Sequence, residues 1–184
     1  MDRAEQMEQT ENCIAFTEGK IFEFLDFDND GFVSVGDLNI FPKNLIRDGK
    51  IEDGKRLSAL YKELYVRICR GAGYPAEQAS LTKEDWIRGK LVIKNTEWLQ
   101  REFMPGIVDI YFSTVDLNQD GRIGLREWEH FYRSRGIEDK AFCVRTFQQM
   151  DTNGDGVISP DEFKNVFAQM GKGNNNYSFL YARK

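Results

Sequence analysis

Three segments of the chain repeat one arrangement of acidic and amide side chains. They are DFDNDGFVSVGD from Asp26 to Asp37, DLNQDGRIGLRE from Asp116 to Glu127, and DTNGDGVISPDE from Asp151 to Glu162. Carboxylate, amide and backbone oxygens are the hard ligands that Ca²⁺ prefers, and the ion takes roughly six to eight of them. A loop of this length surrounds the ion when its oxygens stand at positions 1, 3, 5, 7, 9 and 12. Each segment supplies this spacing, so the sequence predicts three Ca²⁺ sites.

The ligands follow from these positions by residue type. Position 7 contributes its backbone carbonyl, and position 9 binds directly or through a water molecule, as expected near Gly124. Position 6 is glycine in all three segments, because the chain must turn sharply there. In chain order the predicted ligands are Asp26, Asp28, Asp30, the Phe32 carbonyl, Ser34 and Asp37; Asp116, Asn118, Asp120, the Arg122 carbonyl and Glu127; and Asp151, Asn153, Asp155, the Val157 carbonyl, Ser159 and Glu162.

The first segment differs from the other two in its acids. It has four candidate acids where each of the others has three, and it ends in Asp37 instead of glutamate. The aspartate side chain is one methylene shorter, so it reaches the ion less easily through both oxygens. Lower coordination with high charge suits Mg²⁺, which prefers octahedral geometry at roughly 2.0–2.1 Å. We therefore predict Ca²⁺ at three sites, with Mg²⁺ also bound, especially at the first.

Apolar residues recur at helical spacing on both sides of these segments. Ile107, Ile110 and Val115 precede the second segment, and Trp128 and Phe131 follow it. Such stripes mark amphipathic helices that share a core. A helix, a loop of this kind and a second helix form an EF-hand, so the pattern predicts three of them.

The interval after the first loop predicts a fourth hand. Residues 55–70 carry apolar residues at helical spacing, Gly71–Gly73 breaks this helix, and a further helix begins near Thr82. Placing Asp85 at position 12 puts Leu81 at position 8, the apolar position that pairs two loops through a short strand. The other three loops hold Val33, Ile123 and Ile158 at this position.

This second hand is predicted to bind no metal. Positions 1, 3, 5 and 6 of its loop would be Tyr74, Ala76, Gln78 and Ala79, which include neither a carboxylate nor a glycine. Pro75 further disturbs the loop geometry. The hand is expected to remain as a packing partner for the first.

The predicted architecture is all-α, with four EF-hands in two pairs packed into one compact protein. Residues 1–95 form the N-terminal pair, with active hand 1 and silent hand 2. Residues 96–184 form the C-terminal pair, with active hands 3 and 4 and an aromatic tail. Met104–Gly106 is expected to interrupt the helix before the loop of hand 3, Asp116–Glu127, and Pro42 to shorten or kink the outgoing helix of the first hand.

Composition and the absence of certain motifs argue against several classes of function. The net charge of −5 and the pI of about 5.1 argue against a nucleic-acid partner. The apolar runs are too short to span a membrane, and the polar N-terminus predicts a cytoplasmic protein without a membrane anchor. Three cysteines without repeated spacing predict reduced thiols. No nucleophile elbow, phosphate loop or HExxH motif is present, so we expect a binding protein that is not an enzyme. We also expect it to be a monomer.

The pattern as a whole resembles the invertebrate sarcoplasmic calcium-binding proteins and the related calexcitins. The resemblance lies in active hands 1, 3 and 4, in the silent second hand, in Asp37 at the end of the first loop, and in an aromatic C-terminal segment from Tyr177 to Tyr181. It implies a cytosolic Ca²⁺/Mg²⁺ buffer, in the sarcoplasm or the neuronal cytosol.

Two other functions compete with a buffer. A calexcitin-like sensor would open a groove for a protein target, but only five methionines are available to line such a groove. A luciferin-binding protein or photoprotein is similar in length and also has a silent second hand. Such proteins place His, Trp and Tyr around a chromophore, whereas the only histidine here is His130.

The tail is predicted to fold back. Tyr177, Phe179, Leu180 and Tyr181 follow the helix-ending stretch 171–176. A solvated tail has little reason to carry four large apolar groups, although a partner-binding peptide is an alternative. The expected position of the tail is an apolar cleft between the two halves, where it would oppose opening.

Overall fold

The computed structural model describes residues 3–48, 50–75, 77–134, 136–171 and 179–180, and it describes side chains for residues 12–169, 179 and 180 within these ranges. The fold is mostly helical, at 69%. The helices are α1 (Arg3–Leu25), α2 (Val35–Leu38), α3 (Ile40–Arg47), α4 (Ile51–Gly71), α5 (Lys83–Ile93), a π-helix (Leu99–Phe103), α6 (Met104–Val115), α7 (Leu125–Arg133), α8 (Lys140–Met150) and α9 (Pro160–Gly171).

Short strands join the loops in two pairs. They are β1 (Val33–Ser34), β2 (Ser80–Leu81), β3 (Ile123–Gly124) and β4 (Val157–Ile158). β1 runs antiparallel to β2 with Val33 opposite Leu81, and β3 runs antiparallel to β4 with Ile123 opposite Ile158. The prediction of a second hand with Leu81 at position 8 is therefore confirmed, and so is the fold of four paired EF-hands, whereas the loss of metal binding in the second hand stays a prediction.

The outgoing helix of hand 1 is broken between α2 and α3. Asn39 separates the two pieces, and its side-chain amide donates to the Val35 carbonyl at 2.9 Å. Pro42 explains the break, since it lacks an N–H and its ring collides with the carbonyl four residues earlier, at Leu38. The predicted effect of Pro42 is confirmed, with the break three residues before it.

The helix before the loop of hand 3 is irregular, but it does not stop at Met104–Gly106. The π-helix leads directly into α6, and Pro105 lies in the first turn of α6, where a missing N–H is tolerated. Gly106 lies against α4, and a Cβ there would be 3.0 Å from Leu60 Cδ1. This close approach brings the two EF-hand pairs together.

Among the described residues, two buried clusters form the core; one is centred on each pair, and the N-terminal cluster also includes Leu99, Phe103 and Ile110. The N-terminal cluster includes Tyr65 and Trp86, and the C-terminal cluster includes Trp128 and Tyr132, all four with 0% of their surface exposed. Phe41, Met104 and Ile107 are partly buried and pack against both clusters. Among the described residues, no helix is long and apolar enough to cross a membrane.

Candidate metal centres

The backbone of the three active loops is bent in the same two places. Position 6 has positive φ in each loop, at +84° for Gly31, +79° for Gly121 and +85° for Gly156. Position 4 also has positive φ, at 58° for Asn29 and 59° for Gln119. Asparagine accepts this conformation more readily than most side chains, so the first loop carried a signal for this second bend that the ligand spacing alone did not reveal.

The aspartate at position 1 organises each loop from within. Asp26 accepts the Asp30 amide on Oδ1 at 3.1 Å and the Gly31 amide on Oδ2 at 3.1 Å. Asp116 accepts the corresponding amides, from Asp120 at 3.2 Å and Gly121 at 2.9 Å. Asp151 does the same with Asp155 and Gly156. Because these amides hold it, each carboxylate is fixed at the start of its loop.

In the first loop, three acids converge. One carboxylate oxygen from each of Asp26, Asp28 and Asp30 lies within 4.8 Å of the other two. Asp26 is buried, whereas Asp28 and Asp30 are exposed. Three carboxylates in one small volume repel one another unless a cation lies between them, so this donor set fits a divalent ion that prefers oxygen.

The glutamate at position 12 closes each loop of the C-terminal pair. Glu127 accepts the amides of Leu117 at 2.9 Å and Asn118 at 3.2 Å on one oxygen, and the Gly124 amide at 2.8 Å on the other. Glu162 accepts the corresponding bonds, with the hydroxyls of Thr152 and Ser159 added at 3.0 and 2.8 Å. Each carboxylate therefore joins the beginning of its loop to position 9.

Asp37 closes the first loop less completely. Its Oδ2 accepts the amide and the hydroxyl of Ser34 at 2.9 and 2.6 Å. Toward the beginning of the loop, its Oδ1 accepts the Phe27 amide at 3.3 Å. Among the described residues 26–37, this is the only bond from Asp37 in that direction. The shorter side chain thus makes one long bond where Glu127 and Glu162 each make two shorter ones to the backbone.

Hydrogen bonding sets the ionisation of Glu162. Burial of its carboxyl would raise the pKa, but bonds from the backbone and hydroxyl of Ser159, the Thr152 hydroxyl and the Asn153 amide outweigh burial and lower the pKa to about 2. The carboxylate is therefore charged over the whole physiological range, as a metal ligand must be.

In the silent loop, protein groups surround the position-12 carboxylate. Asp85 Oδ2 accepts the Tyr74 hydroxyl at 3.1 Å and the Thr82 hydroxyl at 2.9 Å, and Oδ1 accepts Arg88 Nη2 at 2.6 Å. Burial would raise the pKa of Asp85, but the bonds from Thr82 and Tyr74 outweigh it and lower the pKa. The missing ligands of this loop are visible in the sequence, whereas this network is not.

Each predicted ligand set lies in one loop, and in the first loop the structure brings three of its carboxylates within 4.8 Å of one another. The loops of hands 1, 3 and 4, called loop 1 (Asp26–Asp37), loop 3 (Asp116–Glu127) and loop 4 (Asp151–Glu162), offer oxygen ligands only, in the order that Ca²⁺ requires. The backbone positions Phe32, Arg122 and Val157 follow the position-6 glycines directly, as predicted. The number of ions bound and their individual ligands remain predictions. Ala76 of the silent loop lies outside the described residues.

Known proteins share this arrangement. Residues 107–168 match the family model of the EF-hand domain pair, which spans the two loops of the C-terminal pair. This part of the chain is an EF-hand pair. Calerythrin from Saccharopolyspora erythraea is 27% identical over 149 residues, which cover 78% of this chain and 83% of calerythrin. Mitrocomin from Mitrocoma cellularia is 26% identical over 149 residues, which cover 77% of this chain and 74% of mitrocomin.

A solved structure extends the likeness to both EF-hand pairs. Apo-aequorin in complex with (S)-HM-daCTZ superimposes with a TM-score of 0.66 at 20% identity, over 90% of this chain and 90% of that chain. At this identity the likeness shows the fold. The EF-hand part of the predicted resemblance is thereby confirmed, whereas membership of the sarcoplasmic or calexcitin group stays a prediction.

Proposed function

We propose that the protein is a calcium buffer that takes up Ca²⁺ in loops 1, 3 and 4, and Mg²⁺ especially in loop 1, without opening a groove for a protein target. A sensor must separate the two helices of a hand when it binds Ca²⁺, and must thereby expose apolar surface. The contacts that oppose such a separation in this chain support the buffer.

In the N-terminal pair, α4 and α5 touch through their backbones. A Cβ on Gly89 would lie 2.3 Å from the Ile68 carbonyl oxygen, and a Cβ on Gly71 would lie 2.7 Å from the Gly89 carbonyl oxygen. These are the two helices of the silent hand. Because glycines allow this approach, opening the hand would separate a well-packed backbone contact.

A buried ion pair holds α1 against α5. Lys90 Nζ lies 3.3 Å from Glu18 Oε1, and only 9% of the Lys90 side chain and 12% of the Glu18 side chain are exposed. Glu18 Oε2 also accepts the Trp86 indole N–H at 3.3 Å. The pair ties hand 1 to hand 2, and removing either charge alone would leave the other buried without a partner, at a cost of about 3–5 kcal/mol.

In the C-terminal pair, the chain covers its own core. Leu180 is 4% exposed and belongs to the C-terminal cluster, and the Phe179 carbonyl accepts the Tyr132 hydroxyl at 3.1 Å. The predicted fold-back is thus present for these two residues, on the C-terminal core instead of between the halves. Tyr177 and Tyr181 lie outside the described residues. The burial of Leu180 is the observation that carries the proposal, because a docked tail competes with any target for this surface.

The test is a Ca²⁺ titration of the whole chain in the presence of an apolar dye and, separately, of an amphipathic helical model peptide. A buffer binds Ca²⁺ with unchanged or reduced dye fluorescence and does not retain the peptide. A Ca²⁺-dependent rise in dye fluorescence together with peptide capture would establish a sensor instead. Repeating the titration in millimolar Mg²⁺ measures the competition at each loop.

A second candidate is a protein that holds a small organic ligand, as apo-aequorin holds (S)-HM-daCTZ. The likeness in fold over 90% of both chains favours it. The polar groups of the interior argue against it, because the indole N–H of Trp86 bonds Glu18 and that of Trp128 bonds Thr146 at 3.0 Å. His130 is exposed on α7 and faces away from the core.

Purification decides between these candidates. An absorbance band above the protein band, or an organic compound extracted from the native protein and identified by mass spectrometry, would favour the ligand-binding function. Titration with (S)-HM-daCTZ, followed by tryptophan fluorescence, gives an independent measurement. A colourless protein whose fluorescence is unchanged by the compound would leave the buffer as the better account.

The proposal includes a monomeric protein of the cytoplasm without catalytic activity. Cys13, Cys69 and Cys143 are all free thiols, which suits a reducing compartment. Burial raises the pKa of Cys69 and of Cys143, so both thiols are poor nucleophiles. Light scattering on the Ca²⁺-loaded protein tests the oligomeric state, and imaging of the tagged chain in its own cells tests the location.

A further inference from the structure

The silent loop is organised by side chains that take the place of an ion. Its position-12 residue Asp85 receives the hydroxyls of positions 1 and 9, Tyr74 and Thr82, and the guanidinium of Arg88. Arg88 Nε also donates to the Ala72 carbonyl at 3.1 Å, at the C-terminal end of α4. One positive group therefore neutralises the carboxylate and connects the end of α4 to the beginning of α5.

This loop is joined to the loop of the first metal site through the strand pair. Val33 and Leu81 lie opposite each other, and both are 0% exposed. The peptide group that carries the Val33 N–H also carries the Phe32 carbonyl, the predicted ligand at position 7. Whatever fixes Val33 against Leu81 therefore also fixes the direction of that carbonyl.

Tyr65 of α4 connects the two loops directly. Its ring is 0% exposed, and its hydroxyl lies 3.4 Å from the Val33 carbonyl and 3.2 Å from the Gln78 carbonyl. The hydroxyl thus shares its single proton between the strand of the first loop and position 5 of the silent loop. It is a buried link between the backbone of a metal loop and that of its partner.

We propose that Tyr65 and Arg88 are positioning residues for the first metal site, because together they hold the silent loop permanently in the shape against which loop 1 is built. This inference rests on the proposed metal binding at loop 1. Loop 1 depends on such support more than the other loops do, since Asp37 makes only one long bond to its beginning. Loops 3 and 4 are closed by glutamates of their own.

Each active loop contains a backbone amide that can report metal binding at its own site. The position-6 amides of Gly31, Gly121 and Gly156 each donate to the position-1 aspartate of their own loop, at 3.1, 2.9 and 2.9 Å. Their nitrogen and proton chemical shifts report metal binding loop by loop during a Ca²⁺ titration of the whole ¹⁵N-labelled protein. A change in one loop can thus be separated from a general loss of stability.

The variants are Tyr65→Phe, which removes only the hydroxyl, and Arg88→Met, which keeps most of the stem and removes the guanidinium. We expect the Gly31 midpoint to rise about fivefold to tenfold in each variant, with the Gly121 and Gly156 midpoints unchanged within twofold. For Arg88→Met this weakening has the opposite sign to a simple charge effect, since removing a positive charge by itself strengthens cation binding.

Two further measurements make the test specific. Tyr132→Phe is the matched control, because it removes another buried tyrosine hydroxyl that donates to a carbonyl but lies away from both loops of the N-terminal pair. It should leave the Gly31 midpoint unchanged. In the metal-free protein, amide hydrogen exchange at Val33 and Leu81 should be faster in Tyr65→Phe and Arg88→Met than in the wild type and the control.

The outcomes are distinct. A Gly31 midpoint that stays unchanged in both variants, or that shifts equally with the other two glycines, would overturn the positioning role while leaving the buffer intact. A wild-type Gly31 amide that does not respond to Ca²⁺ or Mg²⁺ would overturn the first site and this inference together. If Arg88→Met proves too unstable to measure, Arg88→Lys keeps the charge but loses the bridge to Ala72, and it should still weaken the first site.

Discussion

The hydroxyls of Tyr61 and Tyr111 lie 2.9 Å apart and buried, and they join the two EF-hand pairs. Tyr61 belongs to α4 of the N-terminal pair and Tyr111 to α6 of the C-terminal pair. Phe41 adds to this junction, with its ring centroid 5.2 Å from that of Tyr111. The Lys50 ammonium donates to the Ser113 carbonyl, and Ser113 Oγ donates to Asp53 Oδ2 at 3.3 Å. The junction therefore combines apolar packing with several polar bonds.

The first prediction concerns this tyrosine pair. Tyr61→Phe and Tyr111→Phe should each lower the free energy of unfolding by about 1 kcal/mol, because each removes one partner of a buried hydrogen bond. The double variant should lose less than the sum, with a coupling of about 0.5–1.5 kcal/mol. The measurement is urea unfolding of the Ca²⁺-loaded wild type, the two single variants and the double variant, which together form a double-mutant cycle. Additive losses would mean that the two hydroxyls contribute separately.

The second prediction concerns the first metal site. In Asp37→Glu, the longer side chain can reach both backbone amides at the beginning of the loop, as Glu127 does with Leu117 and Asn118. We expect tighter Ca²⁺ binding and weaker Mg²⁺ competition at this site, since a bidentate glutamate favours the larger ion. The measurement is calorimetric Ca²⁺ titration with and without millimolar Mg²⁺. Equal Mg²⁺ competition in both proteins would contradict the role given to Asp37.

Much of this site was predictable because its determinants are local in sequence. Ligand spacing and the glycine at position 6 belong to one loop, and the apolar position 8 was enough to place Leu81 opposite Val33. The Asp85 network was not predicted, because Tyr74 and Arg88 come together only after the silent loop folds. The docking surface of Leu180 likewise depends on the packing of the C-terminal cluster, and no local pattern specifies it.

The third prediction concerns acid stability. The hydrogen bonds that lower the pKa of Glu162 from 4.5 to about 2 contribute stability that is complete above the unfolded pKa and is lost as the pH falls toward the folded one. The metal-free protein should therefore lose stability between roughly pH 4.5 and 2. Glu162→Gln should be less stable at neutral pH, and its unfolding free energy should decrease less steeply over this interval.

Ser159→Ala provides the matched comparison. It keeps the Glu162 carboxyl but removes a hydroxyl that donates to it at 2.8 Å. The folded pKa should therefore rise toward its ordinary value, and the acid loss of stability should begin at a higher pH than in the wild type. Chemical unfolding in the presence of a chelator, at a series of pH values, measures both variants. An acid limb that coincides with the wild type in both would exclude Glu162 as its source.

The fourth prediction concerns the C-terminal tail. Truncation after Gly173 removes Phe179 and Leu180, and with them the carbonyl that Tyr132 bonds at 3.1 Å. Burial of a leucine side chain contributes roughly 1.5–3 kcal/mol, part of which offsets the entropy of ordering the tail. The truncated Ca²⁺-loaded protein should therefore unfold at a lower temperature and bind more apolar dye. Leu180→Ala should produce a smaller change in the same direction, because it keeps the carbonyl of Phe179.

Val92→Ala is the control for the tail, since Val92 is 63% exposed on α5 and shortening its side chain should alter neither measurement. If truncation leaves both dye binding and thermal stability unchanged, the tail does not protect the core, and a target could occupy the surface that the buffer proposal reserves for Leu180.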